Sequence, residues 1–226
     1  MSPTTPARLT VLISGSGTNL AALITAQPTL SSTHPTSIVR VISNRKAAYG
    51  LTRASDAGIP SAYHNLASYK KRLTPESAAR EAYDADLASL VLADSPDLVV
   101  CAGFMHILSP AFLRPLEEAG VRIINLHPAL RGEFNGAHAI ERAHAAFMAG
   151  EIQRTGVMIH YVISEVDMGE PILQVAIPLS HPDDDNIAVL EDRIHDVEHE
   201  AIVEGTRLAI EALWAAREGQ NTAPSS

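Results

Sequence analysis

Two segments of the sequence combine residue types that can do chemistry. In Ser14-Gly15-Ser16-Gly17-Thr18-Asn19, small residues leave backbone N–H groups free to converge on an anion. The segment sits where a first strand is expected to turn into a first helix, so the helix dipole favours negative charge at the same place. Taken alone, the two glycines serve equally well to allow a tight turn. In Asn125-Leu126-His127-Pro128, the period of two puts Asn125 and His127 on one side of a strand end and Leu126 on the other. An amide can donate to an oxygen gaining negative charge, and an imidazole can donate or shuttle a proton near neutral pH. The alternative is a capped strand end with a hydrogen-bonded histidine.

Other segments carry weaker or misleading signals. Leu20 stands where a dinucleotide fingerprint has its third glycine, and no Lys-Ser/Thr pair follows to make a P-loop. Ser43-Asn44-Arg45-Lys46 offers no acid for a ribose diol, so NAD and ATP are disfavoured. His195-Asp196-Val197-Glu198-His199 matches a zinc motif, with the histidines one helical turn apart. Most acids after it, Glu200, Glu204 and Glu211, fall on the same helix and cannot close a coordination sphere. No metal is expected. His138 and His144 are poorly spaced to share one, and Cys101 reads as a core residue beside Val99 and Val100. No G-x-S-x-G elbow surrounds Ser14 or Ser16. Asp167, in the polar stretch Glu165 to Glu170, reads by itself as a turn residue.

The elements that must position these residues follow from alternating short β-branched runs and Ala-rich helical segments. That pattern predicts a Rossmann-like open, mostly parallel twisted α/β sheet with helices on both faces. Strands are expected at Leu9–Ser14, Ser37–Ser43, Ser61–His64, Leu98–Ala102 and Val121–Leu126, with a C-terminal antiparallel hairpin from Gly156–Ser164 and Pro171–Pro178. Helices are expected at Asn19–Ala26, Ala47–Ala57, Pro75–Ala93, a stretch ending near Gly120, Ala137–Ala149, and Asn186–Arg217. The 226 residues read as one domain over 9–217, with a flexible N-terminus at 1–8 and a flexible tail at 218–226. Seventeen Lys+Arg against 26 Asp+Glu give a net charge of −9, which leaves no spare basic surface for nucleic acid or an anionic membrane. The single cysteine excludes an internal disulfide and fits a reducing compartment. With no run of about 18 apolar residues, a cytoplasmic location is expected.

Several segments together resemble the phosphoribosylglycinamide formyltransferase family. They are Val11 to Leu20, Ile42-Ser43-Asn44, Ala79 to Asp84, Ala102-Gly103-Phe104-Met105 with Ile107-Leu108-Ser109-Pro110, Ile124 to Leu130, Gly156 to Val162, Val166-Asp167 and Glu198-His199. The wording around His138 to Ala143 and Met168 to Pro171 is similar to the monofunctional fungal-type members. The resemblance implies the formyltransferase fold and transfer of a formyl group from 10-formyltetrahydrofolate, as co-substrate, to the amine of glycinamide ribonucleotide in purine biosynthesis. It implies that Gly17, Thr18 and Asn19 hold the ribotide phosphate and that Glu198 contacts the ribotide. Arg80, Met105, His106, Ile107, Leu108, Val162 and Val166 are implied on the folate side. Asn125 and a protonated His127 would stabilise the oxyanion, and Asp167 would pair with His127, favour its imidazolium form and help to remove the amine proton. The partners implied are small molecules, with no nucleic acid or membrane, for a monomer or homodimer.

The sequence departs from the common family pattern at three places. His106 stands where many members carry arginine, Arg131 to Gly136 replaces the usual loop, and Met168 replaces a glycine beside Asp167. The alternative within the same fold is a formyltetrahydrofolate hydrolase. Such enzymes typically carry an additional N-terminal domain, whereas the first strand here is expected about eight residues in. A methionyl-tRNA formyltransferase would need a basic surface. A ligand sensor without catalysis would need the pocket but not Asn125, His127 and Asp167 together.

Overall fold

A computed structural model describes residues 6–33 and 35–221. Its elements in chain order are β1 (Ala7–Ile13), α1 (Thr18–Thr33), β2 (Thr36–Ser43), α2 (Tyr49–Asp56), β3 (Ser61–Tyr63), α3 (Leu66–Lys70) and α4 (Glu76–Leu92). They continue with β4 (Leu98–Cys101), α5 (Pro110–Glu118), β5 (Arg122–His127), α6 (Ala139–Met148), β6 (Arg154–Tyr161), β7 (Pro171–Pro178) and α7 (Ile187–Asn221). The described strands form one sheet in the order β3-β2-β1-β4-β5-β6-β7. The pairs from β3 to β5 are parallel, and β5-β6 and β6-β7 are antiparallel. This is the expected mostly parallel sheet with an antiparallel C-terminal pair.

Alternation along the central strands divides the core in two. Leu9, Val11 and Ile13 of β1, with Val100 of β4 and Ile124 of β5, face the side covered by α1 and α7. Leu12, Val99, Cys101 and Ile123 face the side covered by α4 and α5, where Tyr83, Leu87, Phe112 and Leu116 are fully buried. Both faces of the strands are therefore apolar, as a sheet covered on both sides requires. The strand order reverses between β1 and β4, whose other neighbours are β2 and β5. Ligands of open α/β sheets bind at the carboxyl ends of the strands at such a switch.

Some boundaries differ from expectation. Helix α1 continues past Ala26 and through Pro28, because Pro28 is exposed and Leu30 is anchored in the core, so tertiary packing offsets the lost helical bond. Helix α3 was not expected; Asn65 caps it by accepting from the Ala67 N–H at 2.9 Å. Strand β6 ends at Tyr161 rather than Ser164. Ala7 and Arg8, expected in the flexible N-terminus, belong to β1, and Asp97 accepts from the Arg8 N–H at 2.8 Å. Residues 218–221 of the expected tail continue α7, while residues 1–5 and 222–226 lie outside the described residues.

Candidate active site

The ends of β4 and β5, the Val162 to Asp167 segment and the loop before α6 enclose a cavity of about 540 Å³. Asn125 and His127 point into it from β5 on the α4–α5 side, as alternation predicts. Asn125 lies directly opposite His160 across the antiparallel β5-β6 pair, so His160 faces the same space. Asp167 completes the cluster. Its Oδ1 accepts from Asn125 Nδ2 at 3.4 Å and lies 3.5 Å from His160 Nε2, while its Oδ2 lies 3.4 Å from His127 Nδ1. Asn125 Nδ2 is also 3.3 Å from His160 Nε2. The shortest contact to the carboxylate comes from the backbone, where the Gly136 N–H donates to Oδ2 at 2.8 Å.

Local backbone geometry holds Asp167 in place. Its φ is +56°, a left-handed conformation uncommon for a residue with a side chain. The turn is closed by Met168 N–H donating to the Glu165 carbonyl at 3.3 Å. Gly169 then passes so near the end of β6 that a Cβ there would lie 1.7 Å from the Tyr161 oxygen, so only glycine fits.

The electrostatics correct one expectation. Burial is the largest influence on His127 and pushes its pKa below the ordinary value, outweighing the Asp167 charge and nearby carbonyls that favour protonation. The resting ring is therefore neutral rather than imidazolium. Its buried Nε2 has no hydrogen-bond partner among the described residues. For Asp167, burial works to raise the carboxyl, but hydrogen bonds from His160 and the Gly136 N–H and the charges of His127 and His160 leave it below its ordinary value. Asp167 is thus an ionised carboxylate. Burial pushes the Cys101 thiol up to about 12, which removes it as a nucleophile.

Residues expected on the folate side line the same cavity: Arg80, Met105, His106, Ile107, Leu108, Val162 and Val166. Met105 and Ile107 are among the most exposed large apolar residues of the described chain. His106 is turned inward; its Nε2 meets Asp84 at 2.7 Å, and its ring packs edge-on against Tyr83 and Phe104. Arg80, whose Nη2 donates to the Ile107 carbonyl at 3.2 Å, is the only lysine or arginine lining the cavity among the described residues.

Gly17, Thr18, Asn19 and Glu198 do not line this cavity. They form a second group at the β1–α1 junction. Gly17 has φ +70°, and a Cβ there would lie 2.6 Å from the Gly50 Cα. Asn19 Nδ2 donates to Glu198 Oε2 at 3.0 Å, which ties α1 to α7. Burial raises the Glu198 carboxyl, against the opposing effects of the Asn19 bond and the His195 charge. Glu198 of the zinc-like motif therefore points at an amide, and the described residues hold no group of three or more His, Cys, Asp or Glu arranged for a metal. Ser14 joins the two groups: its N–H donates to the Gly103 carbonyl at 3.0 Å, and its Oγ accepts from Met105 N–H at 2.7 Å and donates to Asn44 at 2.7 Å.

Sequence reasoning missed three residues here. His160 was signalled by a polar residue in the apolar run Val157-Met158-Ile159. Arg53, which donates to the Ser16 carbonyl at 2.9 Å, and Asp84, which is fully buried and also accepts from the Ser109 N–H at 2.8 Å, carried no such signal.

The sequence profile of the formyl transferase family matches residues 7–206. A phosphoribosylglycinamide formyltransferase of Schizosaccharomyces pombe is 51% identical over 198 residues, covering 88% of this chain and 94% of the relative. The Saccharomyces cerevisiae protein of the same name is 45% identical over 214 residues, covering 92% and 99%. The crystal structure of glycinamide ribonucleotide transformylase 1 from Symbiobacterium toebii superposes with a TM-score of 0.78 at 34% identity, covering 93% of this chain and 90% of that one. With the profile spanning nearly the whole sheet and its helices, the chain belongs to the formyl transferase family.

Proposed function

We propose that this chain transfers the formyl group of 10-formyltetrahydrofolate to the amine of glycinamide ribonucleotide, a step of de novo purine biosynthesis. The observation that carries this reading is the convergence of Asn125, His127 and Asp167 on one cavity, with both Asp167 oxygens within 3.4 Å of the other two side chains. Relatives that match this chain over 94% and 99% of their own length, and that are named for this activity, support the choice of substrates.

In this reading the amine nitrogen attacks the formyl carbon, a C–N bond forms, and the carbonyl oxygen takes the electron pair. Asn125 donates to that oxygen. Neutral His127 accepts the proton that the amine loses and returns it to the departing folate nitrogen as the intermediate collapses. Asp167, ionised, holds His127 at Nδ1 and stabilises the charge the ring acquires. Gly17, Thr18 and Asn19 take the phosphate and Glu198 the ribotide, while Arg80 and the walls formed by Met105, His106, Ile107, Leu108, Val162 and Val166 take the folate. No step requires a metal. The setting proposed is the cytoplasm, with small molecules as partners; no helix among the described residues is long and apolar enough to cross a membrane.

A spectrophotometric assay with 10-formyl folate, run with and without the ribotide, tests the proposal. Folate turnover that depends on the ribotide is the expected result. Formate release without ribotide would instead mark a hydrolase, and no turnover in either case would overturn the reading.

A further inference from the structure

We propose that Arg142 is a positioning residue that orients the Asp167 carboxylate through the peptide group joining Asn135 to Gly136. The inference rests on the reading of Asp167 as the catalytic carboxylate. Arg142 lies in the first turns of α6 and touches none of the reacting groups. Its Nη2 donates to the Asn135 carbonyl at 2.7 Å and to the Phe134 carbonyl, its Nε donates to the His138 carbonyl at 3.3 Å, and its guanidinium lies 5.9 Å from the Phe134 ring centre.

The geometry makes this more than a surface contact. The Asn135 carbonyl and the Gly136 N–H belong to one planar peptide unit, and they point to opposite sides of it. A cation on the oxygen polarises the unit and strengthens the hydrogen bond made by its N–H. That N–H makes the shortest contact to the Asp167 carboxylate, at 2.8 Å. Arg142 thus reaches Asp167 by two hydrogen bonds in series.

The first half of the loop is held by the Arg131 N–H on Gln174 and by Arg154 on Glu133, each at 3.0 Å, while the Phe134 and Asn135 carbonyls are held by Arg142. Gly132, Phe134, Gly136 and His138 all have positive φ, from +48° to +83°, and two of these are not glycine. For Phe134 and His138 such conformers persist only where neighbouring groups impose them. Across the loop, Asn135 Nδ2 contacts Met168 Sδ at 3.2 Å, and Arg131 Nη2 reaches the Met168 carbonyl at 3.4 Å. Two of the places where this chain departs from the family pattern, the 131–136 loop and Met168, therefore meet each other beside Asp167. Arg142 closes the arrangement from behind.

The titratable groups facing Asp167 are His127 from β5 and His160 from β6, with exposed Glu165 in its own turn and His138 lining the same cavity. Loss of the loop donor leaves the carboxylate with Asn125 and its two histidine neighbours, so its charge is less dispersed and its hold on a proton, its own or that of His127 at Nδ1, tightens. The acid limb of the kcat profile, which follows protonation of the His127 base, then moves to higher pH because the less dispersed Asp167 charge favours imidazolium.

The test compares Arg142→Ala and Arg142→Lys with the wild-type chain. Arg142 is exposed, so both variants should fold, which melting curves will check. For Arg142→Ala we expect kcat to fall about ten- to a hundredfold, KM for the ribotide to stay within about twofold, and the acid limb to shift upward. Arg142→Lys, which can reach one carbonyl, should recover part of the loss. The Gly136 amide proton, read by NMR without turnover, should move upfield and exchange faster in Arg142→Ala. An unchanged Gly136 resonance, or a fall in kcat with an unmoved acid limb, would overturn the proposal. Asp167→Asn is run alongside: if it keeps the wild-type rate, the reading of Asp167 fails, while the Gly136 resonance still decides whether Arg142 grips the loop.

Discussion

At the end of β5 the shape of the site is set by side chains, whereas at the end of β1 it is set by backbone. Asn125 and His160 are aimed by cross-strand register, His127 by alternation, and Asp167 by a turn that glycine permits. At Gly17, by contrast, two backbones touch: a Cβ on Gly17 would meet Gly50, and a Cβ on Gly50 would lie 2.4 Å from Ile13 Cδ1. The first region can lose a side chain and keep its shape. The second cannot gain a methyl group without moving. Substitutions in the first should therefore act on rate, and in the second on stability and affinity together.

The largest effects are expected in the first region. His127→Ala should lower kcat by about 10²–10⁴ with little change in melting temperature, because it removes the group proposed to move the proton. Asn125→Ala should cost about 10²–10³ in kcat, with ribotide affinity by calorimetry nearly intact. A wild-type rate for either would detach that residue from the chemistry. Smaller, and different in kind, is Gly17→Ala. Its positive φ and the backbone contact with Gly50 predict a loss of roughly 1–3 kcal/mol in denaturant unfolding together with a raised KM for the ribotide. If it raised KM without any change in stability, the loop would be more yielding than its contact with Gly50 implies.

The same contrast explains what could be read from the sequence. β-branched runs located the central strands, because burial on both faces leaves a local signature that the short edge strand Ser61–Tyr63 lacks, and period two put Asn125 and His127 on one side. Resemblance, not local pattern, singled out Asp167, since its contacts to Asn125 and His127 span some forty residues and its own surroundings read as a turn. His160 broke an apolar run, but its pairing with Asn125 depends on the β5-β6 register, which no local pattern encodes. The neutral state of His127 was beyond reach because its proton affinity reflects how much of the ring is buried, a property of the assembled walls. The same holds for His106, whose inward turn depends on Asp84 one layer away.

The smallest expected effect sharpens the comparison most, because the two regions should respond to pH with opposite sign. His127 has its folded pKa pushed below the ordinary imidazole value, so between the two values the unfolded chain binds the extra proton and stability falls as pH drops. Asp167, also lowered, adds stability that is present above the ordinary carboxyl range and lost as pH falls through its folded value. Glu198 is raised, so in the window above its unfolded value the folded chain holds more protons and stability falls as pH rises. His127→Gln should flatten the acid side of a plot of melting temperature against pH. Glu198→Gln keeps an acceptor for Asn19 and removes the buried charge, so its melting temperature should gain on the wild type as pH rises through that window. A difference of about 1 kcal/mol moves the midpoint by roughly 2–4 °C in a chain of this size, within reach of calorimetry. If the Glu198→Gln curve ran parallel to the wild type across that range, burial would not be governing the proton on Glu198. The Asn19 hydrogen bond and the His195 charge would then offset burial at Glu198, as the His160 and Gly136 contacts do at Asp167.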